Sequence, residues 1–421
     1  MNPKQSKNTM IIRQATVLDA RSAHHGLVRD ILVVDGVIEA IEQHISDQSF
    51  PQIEGRELKV SPGWVDIGVQ VCDPGLEHRE DLESAANAAE QGGFSTIFCL
   101  PNTSPAIHSK SEVNYIINKS AGLAVKMYPV GAISLNCEGK DIAEMMDMHH
   151  AGAIAFSDGK RTIQDSGLML RALQYAKSVD GIVMHQPLDQ SLMMEGQIHE
   201  GIVAASLGLK GISAMAEEIM VQRDLRLLEY TDSRLHLSNL SAARSVEMVR
   251  QAKAKGLRVT ASVAVLNLLL TDEALQEFDS NLKVLPPLRS EVDRQALIRG
   301  LQDGVIDVLS ANHIPMEEEN KKLEFTYASF GAIGLETVYA ACKTWLGKDI
   351  SDELLVQSLA ICPREIFGLP KSSIGVGQKA DLTVFSPIET WEYAENSVLS
   401  KSRNSHLIGK KLEGRALAVI R

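Results

Sequence analysis

The sequence predicts an α/β protein: a (β/α)8 barrel of the TIM type, joined by a small β-sandwich that both ends of the chain build. The first observation is that eight apolar, β-branched runs alternate with helical patterns through the middle of the chain, which is typical of parallel strands with crossover helices. The second is that short segments of alternating hydrophobicity occupy both ends instead. A length of 421 residues suits one such barrel with one accessory domain.

The N-terminal segments are predicted to be strands of the sandwich. Residues 11–18 alternate between apolar and polar side chains, and residues 30–34 and 37–41 form two apolar runs. Asp35-Gly36 separates these two runs, and this dipeptide is a strong signal for a tight hairpin turn.

Two segments near the C-terminus, residues 375–385 and 415–420, have the same alternating character. Both ends of the chain are therefore predicted to contribute strands in which apolar and polar side chains alternate. We predict that residues 1–60 and 370–421 form the composite β-sandwich and that residues 61–369 form the barrel.

The barrel strands are predicted from the apolar runs, and the segments between them are predicted to be helices. Residues 82–90 contain good helix formers, and Gly92-Gly93 after them is typical of a helix end. Because active sites of such barrels lie at the C-terminal ends of the strands, the residues that follow each run are candidate site residues. We place the eight strands near residues 64–71, 94–100, 125–133, 153–156, 182–185, 235–237, 257–263 and 305–309.

The composition is that of an ordinary globular protein, with 44% apolar and 23% charged residues. A net charge of −12, from 42 basic and 54 acidic residues, argues against nucleic acid and against an anionic membrane as partners. Residues 1–9 are polar and no apolar run approaches the ~20 residues of a membrane span, so we expect a cytoplasmic protein without a signal peptide. Five cysteines without C-x-x-C spacing predict neither a disulfide framework nor a zinc knuckle.

Residues 61–75 and several later motifs resemble the dihydroorotase branch of the amidohydrolase superfamily. In that family the first barrel strand reads Pro-Gly-x-x-Asp-x-His-x-His-x-Arg-x-Pro-Gly, and this chain keeps Pro62-Gly63, Asp66 and Pro74-Gly75. The resemblance covers nearly the whole chain and implies an amidohydrolase-like barrel. The further matching motifs are Leu100-Pro101-Asn102-Thr103, Ala155-Phe156-Ser157-Asp158, Ala216-Glu217, Pro286-Pro287-Leu288-Arg289 and Phe330-Gly331.

The first strand lacks the side chains that carry the family's chemistry. The resemblance implies two zinc-binding histidines and an arginine for the substrate carboxylate, and here Gly68, Gln70 and Cys72 occupy those positions. Catalytic zinc takes imidazole, carboxylate or thiolate ligands. Glycine offers no side-chain ligand, and the neutral oxygen of a glutamine amide suits calcium or magnesium better.

The later strand ends show the same loss. By the resemblance, Asn239 replaces a ligand histidine after the sixth strand, and Asn312 replaces the acid that binds metal and acts as general base. A carboxamide does not accept a proton near working pH. Leu285 and Met316 replace an asparagine and a histidine that contact the substrate in the family.

Four family residues remain and are interpreted as a vestigial pocket: Asn102, Asp158, His185 and His313. Asp158 stands where the family has an Asp-Asp pair, and the sequence leaves open which of the two it represents. Asp158 and His185 together fall short of the three ligands that a catalytic zinc needs. We therefore expect no catalytic residue, no metal and no other cofactor.

The motifs that shape turns match the family, whereas the positions that would handle zinc, proton and carboxylate mostly do not. The expected function is accordingly that of a pseudoenzyme, not an enzyme. The resemblance implies a structural or regulatory partner of the catalytic chain of aspartate transcarbamoylase in pyrimidine biosynthesis, within a hetero-oligomer or as a homodimer.

Two alternatives stay open. One is an amidohydrolase with a rearranged or single-metal site, using Asp158, His185 and His313 on a cyclic amide other than dihydroorotate. The other is a metal-free module that binds a small molecule.

Overall fold

The computed structural model describes residues 9–421, so the first eight residues of the predicted sandwich and most of the polar N-terminal segment lie outside the described part. The strands, in chain order, are β1 Met10–Val17, β2 Val28–Val34, β3 Val37–Glu42, β4 Gln52–Ile53, β5 Lys59–Pro62, β6 Trp64–Val69, β7 Phe94–Cys99, β8 Lys126–Gly131, β9 Ala155–Phe156, β10 Val183–His185, β11 Ile198–His199, β12 Gly211–Ile212, β13 Leu235–Leu237, β14 Val259–Ala264, β15 Val308–Ser310, β16 Leu382–Glu392 and β17 Lys411–Ile420.

Helices separate most of the strands. They are α1 Leu82–Gln91, α2 Lys110–Lys119, α3 Met145–Ala151, α4 Ser166–Ser178, α5 Gln190–Met193, α6 Ile202–Leu207, α7 Met215–Thr231, α8 Ala243–Ala254, α9 Val265–Leu269, α10 Glu291–Gln302, α11 Glu318–Lys321, α12 Val338–Leu346, α13 Asp352–Val356 and α14 Cys362–Ile366. Within residues 9–421, no helix combines the length and the apolar character needed to cross a bilayer.

Local sequence explains the first of these helices. Asp81 begins α1 by accepting a hydrogen bond from the backbone N–H of Ser84 at 2.8 Å, and the Ser84 hydroxyl accepts one from the backbone N–H of Asp81. Gly92 and Gly93 end the helix as predicted, with Gly93 at a φ of 90°. A Cβ on Gly92 would lie 2.0 Å from the carbonyl oxygen of Leu335, so the close approach of two chain segments also requires a glycine there.

The eight predicted barrel strands are present as one parallel sheet, and the predicted barrel is confirmed. Their spatial order is β15-β14-β13-β10-β9-β8-β7-β6, which is the order along the chain. The last barrel strand, β15, begins at Val308 and not near residue 305 as predicted. The reason is that the backbone N–H groups of Val305 and Ile306 donate to the Gly300 carbonyl near the end of α10.

A buried carboxylate brings the first and last barrel strands together. Asp66 on β6 accepts hydrogen bonds from the backbone N–H of Gly68 at 2.8 Å and from that of Ala311, just after β15, at 2.6 Å. The backbone N–H of Gln70 also donates to the His313 carbonyl at 3.0 Å. Desolvation raises the pKa of Asp66. These contacts nearly close the sheet into a ring.

The two ends of the chain form one hydrogen-bonded sheet of seven strands. Its order is β17-β16-β5-β1-β2-β3, with β4 on β1. The predicted hairpin is present, with φ of 49° at Asp35 and 77° at Gly36, both in the left-handed region that this turn requires. β5 pairs with β1 on one side and with β16 on the other, so it joins the N-terminal strands to the C-terminal ones.

Trp64 lies where this sheet meets the barrel, at the start of β6. It is fully buried, and its indole N–H donates to the Ser61 hydroxyl at 3.0 Å. The ring centroids of Phe94, Tyr339 and Phe385 lie 5.2–6.2 Å from that of Trp64. One side chain therefore packs against the barrel, α12 and the terminal sheet.

Candidate active site at the barrel mouth

A cleft of about 430 Å³ opens at the C-terminal ends of the barrel strands. This is the end at which barrels of this kind carry their reacting groups. Its polar walls come from loops that follow several different strands, and a few apolar side chains complete it. Its lining side chains include Gln70, Arg79, Asn102, Asn136, Lys160, Arg161, Gln186, Leu285, Asn312, Met316 and Phe330.

The cleft is cationic although the chain is acidic. Its lining includes Arg79, Lys160 and Arg161 but no aspartate or glutamate. Arg79 donates to Glu317 at 2.8 Å, whereas the Arg161 guanidinium donates to the Asn136 carbonyl at 3.3 Å and has no carboxylate partner within residues 9–421. A cleft with this charge attracts a small anion.

Lys160 brings an amine to the floor of the cleft. Gly159, at a φ of 60°, turns the chain after β9, and the backbone N–H of Lys160 donates to Asn102 Oδ1 at 2.8 Å. The Lys160 ammonium donates to Asn312 Oδ1 and lies 3.4 Å from Gln186 Oε1. Desolvation lowers the pKa of Lys160 to about 8, and the negative charge of Asp66 opposes that shift.

A small chamber lies beneath Lys160, inside the ring of strands. Its volume of about 20 Å³ has room for one water molecule. Asn239 Oδ1 is buried there, and within residues 9–421 it has no hydrogen-bond partner. Lys160 lines both the chamber and the cleft. The other polar lining residues of the chamber are Ser157, Gln186, Ser238, Asn239, Ser262 and Ser310.

Asn312 connects Lys160 to Asn239 through hydrogen bonds. Its amide nitrogen donates to the Leu285 carbonyl at 3.1 Å, so its oxygen is the atom that faces the donors. That oxygen accepts from Lys160 and from the amide nitrogen of Asn239, the latter at 3.2 Å. Leu285 and Met316, predicted to have lost substrate contacts, still line the cleft.

Asp158 and His185, both predicted to belong to the pocket, do not line the cleft. Their side chains are held by hydrogen bonds to other parts of the barrel. Asp158 accepts the backbone N–H groups of Ile133 and Ser134 at 2.9 Å each. His185 Nδ1 lies 2.5 Å from Asp224, and its Nε2 accepts the backbone N–H of Ile163 at 3.1 Å. Both ring nitrogens of His185 are therefore engaged.

His313 and Cys72 do not line the cleft either. His313 Nε2 lies 3.2 Å from Glu80, and its Nδ1 accepts the backbone N–H of Gly334 at 3.2 Å. Cys72 is buried at a φ of 59°, and desolvation raises the pKa of its thiol to about 12. Of the four residues predicted as a vestigial pocket, Asn102 alone lines the cleft.

The donor set does not fit a zinc ion. Residues 9–421 contain no group of three or more His, Cys, Asp or Glu side chains placed to hold a metal. Four positions predicted to have lost metal ligands, Gly68, Gln70, Asn239 and Asn312, offer no imidazole or carboxylate, and the amide of Gln70 donates to the Asn102 carbonyl at 3.3 Å. Catalytic zinc requires about three charged or imidazole ligands.

Lys160 was not among the site residues predicted from the sequence, because those predictions covered only the positions of the family's metal and substrate ligands. A signal was present, because the lysine directly follows Ser157-Asp158-Gly159 at the C-terminal end of a predicted barrel strand, where reacting groups lie.

Comparisons with known proteins agree along the whole chain. A family model described as "Dihydro-orotase-like" matches residues 58–245. A dihydroorotase of Pelotomaculum thermopropionicum is 39% identical over 98% of this chain and 96% of its own length. A dihydroorotase of Ruminiclostridium cellulolyticum is 38% identical over 96% of this chain and 95% of its own. Among solved structures, the L-hydantoinase (dihydropyrimidinase) of Arthrobacter aurescens superposes with a TM-score of 0.86 over 98% of this chain and 94% of its own, at 24% identity, which shows the fold.

These relatives overturn the prediction of a pseudoenzyme that is not an enzyme. Proteins that match almost every part of this chain are named dihydroorotase, so the non-catalytic interpretation is wrong. The loss of zinc ligands does not by itself show a loss of catalysis, because general acid–base catalysis by a side chain needs none of those ligands. The association with aspartate transcarbamoylase, the oligomeric state and the cytoplasmic location stay predictions.

The family itself follows from the length and the level of these matches. The matches, at 38–39% identity, span both the barrel and the terminal sheet. The chain belongs to the dihydroorotase family of the amidohydrolase superfamily.

Proposed function

We propose that this chain opens and closes a carboxylate-bearing cyclic amide of the dihydroorotate type in the barrel-mouth cleft, with Lys160 as the proton carrier. The observation that carries the proposal is the position of Lys160, between a cationic cleft and a chamber with room for one water. The names of the full-length relatives supply the reaction class. Of the alternatives drawn from the sequence, an amidohydrolase with a rearranged site agrees best with this geometry.

Ring opening begins with Lys160 in its neutral form. The amine accepts a proton from water as the water oxygen bonds to the ring carbonyl carbon, and Asn239 Oδ1 orients that water by accepting its other hydrogen. The new ammonium stabilises the negative charge that develops on the carbonyl oxygen. The carbon–nitrogen bond then breaks, and Lys160 returns the proton to the leaving nitrogen. One water is consumed and the amine is restored, and ring closure follows the same steps in reverse.

The substrate carboxylate is assigned to the arginine side of the cleft. Arg161 has a guanidinium with no carboxylate partner in residues 9–421, and Arg79 lines the same cleft. Hydrogen bonds to charged groups contribute about 1.5–3 kcal/mol each. These two arginines offset the loss of an arginine at Cys72.

The test compares dihydroorotate with dihydrouracil, which has the same ring without the carboxylate. We expect kcat/KM for dihydroorotate to be higher by about 10- to 100-fold, from one charge-assisted contact. Arg161→Gln should remove most of that preference while leaving the rate with dihydrouracil unchanged. Arg171→Gln, an exposed arginine on α4, is the matched control. Turnover of neither substrate would refute the function, and equal rates for both would refute the carboxylate assignment.

The rate of ring opening should depend on pH through Lys160. The pKa of this amine is lowered to about 8, so the neutral form that accepts a proton predominates above that pH and disappears below it. We expect kcat/KM for ring opening to rise through about pH 8 and level off, and that for ring closure to fall over the same range. Rate profiles in both directions from about pH 6 to pH 10 measure this. A ring-opening rate that falls as the pH rises would contradict the mechanism.

Removal of divalent metals should leave the activity intact. Because residues 9–421 bring no three His, Cys, Asp or Glu side chains together, dialysis against a chelator should leave less than about one zinc per ten chains. Elemental analysis and the ring-opening assay are made on the same sample. Stoichiometric zinc whose removal abolishes turnover would contradict the proposed role of Lys160.

A further inference from the structure

A second cavity, of about 470 Å³, lies at the opposite end of the barrel from the cleft. Its walls are the N-terminal ends of β7 and β8, the end of α2, the segment after α14 and the edge of the terminal sheet. Cavities of this size hold small molecules in other proteins. Nothing in the proposed reaction uses it.

Three lysines from three separate segments converge on this cavity. Lys126 begins β8, Lys371 follows α14, and Lys379 lies next to the hairpin between β2 and β3, where it bridges to Val37. All three are exposed, and no ion pair within residues 9–421 includes any of them. Lys126 has one contact of its own, with its ammonium 4.7 Å from the centre of the Tyr128 ring.

The carboxylate side chain in the lining does not balance these charges. Asp381 is paired with Arg364 at 2.7 Å, and the Arg364 guanidinium also donates to the Gly63 carbonyl at 2.9 Å. Arg421 also lines the cavity, and its guanidinium donates to the Ala124 carbonyl at 3.1 Å. The three lysines and this arginine therefore face one space in a chain whose net charge is −12. Their mutual repulsion is relieved when an anion enters.

The C-terminal end of α2 forms part of the wall, and the end of a helix normally repels anions. Two of its last carbonyls are hydrogen-bonded: that of Ile116 accepts the backbone N–H of Ser120 at 3.0 Å, and that of Asn118 accepts that of Ala121 at 3.3 Å. The partial charge at a helix end is about half a unit, so the lysine charges outweigh it.

We propose that this cavity is a binding site for the oligophosphate group of a small molecule. Lysine ammonium groups bind phosphate as point charges, and a ligand with three or four negative charges matches three lysines better than a single carboxylate does. Tyr128 provides an aromatic face at the same wall, against which a nucleobase would pack. The site lies between barrel and terminal sheet, so a bound ligand stabilises their association without entering the barrel mouth.

Calorimetric titration of the full-length chain with sodium tripolyphosphate, and separately with ATP, tests the proposal at low ionic strength. The double variant Lys371→Gln/Lys379→Gln should weaken binding of both ligands at least tenfold. The control Lys348→Gln/Lys411→Gln removes the same charge from two exposed lysines elsewhere that form no ion pair within residues 9–421, and this variant should bind as the unmodified chain does. Equal affinity for the two ligands would identify the phosphate chain as the recognised group, and tighter binding of ATP would identify a nucleotide.

Three results would overturn the site. The first is that neither ligand binds, and the second is that both double variants weaken binding equally, which would show a general charge effect. The third is that Lys160→Met abolishes binding while the Lys371/Lys379 variant does not, which would place the anion in the barrel mouth. Because the phosphate titration does not measure turnover, its outcome is independent of the proposed reaction.

Discussion

Replacing Lys160 with methionine is expected to lower kcat/KM for ring opening by about 10²- to 10⁴-fold, the usual contribution of a positioned proton carrier. Methionine keeps an unbranched apolar stem of similar length but has no group that accepts a proton. The fold should tolerate the change, because the methionine removes a desolvated amine and Asn312 Oδ1 keeps its bond from Asn239. Steady-state kinetics and thermal unfolding of the same preparation measure the two effects.

Lys160→Arg separates the charge of this residue from its proton. Arginine keeps the positive charge but does not release its proton in the working pH range. We expect this variant to be as slow as Lys160→Met and to lose the rise in rate near pH 8. An arginine variant with normal activity would show that the charge alone is needed, and a fully active methionine variant would remove Lys160 from the mechanism.

Trp64→Ala is expected to have the largest effect on stability, lowering the free energy of unfolding by about 3–5 kcal/mol. The indole is fully buried and packs on Phe94, Tyr339 and Phe385, so alanine leaves a cavity where three parts of the molecule meet. The loss of its bond also leaves the buried Ser61 hydroxyl without that donor. Denaturant titration followed by circular dichroism measures the change.

Trp345→Ala is the matched control for this measurement. Trp345 lies on α12 and is 42% exposed, so its removal costs much less burial. We expect its effect to stay within about 1 kcal/mol. Similar losses for both variants would contradict the assignment of Trp64 as the packing centre between the barrel and the terminal sheet.

The barrel was predictable because buried parallel strands read as continuous apolar runs, and each of the eight runs became a strand. Shorter elements were not predicted. β11 and β12 contain two residues each, and they pair because the chain around them brings Ile198 beside Gly211, which no local pattern shows. The hairpin at Asp35-Gly36 was predictable because this dipeptide adopts left-handed backbone conformations readily.

The candidate site was harder to predict because its geometry depends on distant contacts. The ring of His185 is held by a hydrogen bond with Asp224, which lies 39 positions further along the chain. No spacing rule predicts that pair. The position of Lys160 depends on the left-handed turn at Gly159 and on a bond to Asn102, 58 positions away. The sequence shows which side chains are present, whereas the assembled barrel decides which of them face the cleft.

The position of β5 has a consequence for how the molecule is made. Its edge faces β16, which the ribosome synthesises only after the whole barrel. Until residues 382–385 emerge, residues 59–62 present an unpaired strand edge, which is a template for pairing with another chain. Nascent chains therefore stay prone to aggregation until translation is nearly complete, and a chaperone that shields this edge would raise the yield of folded protein.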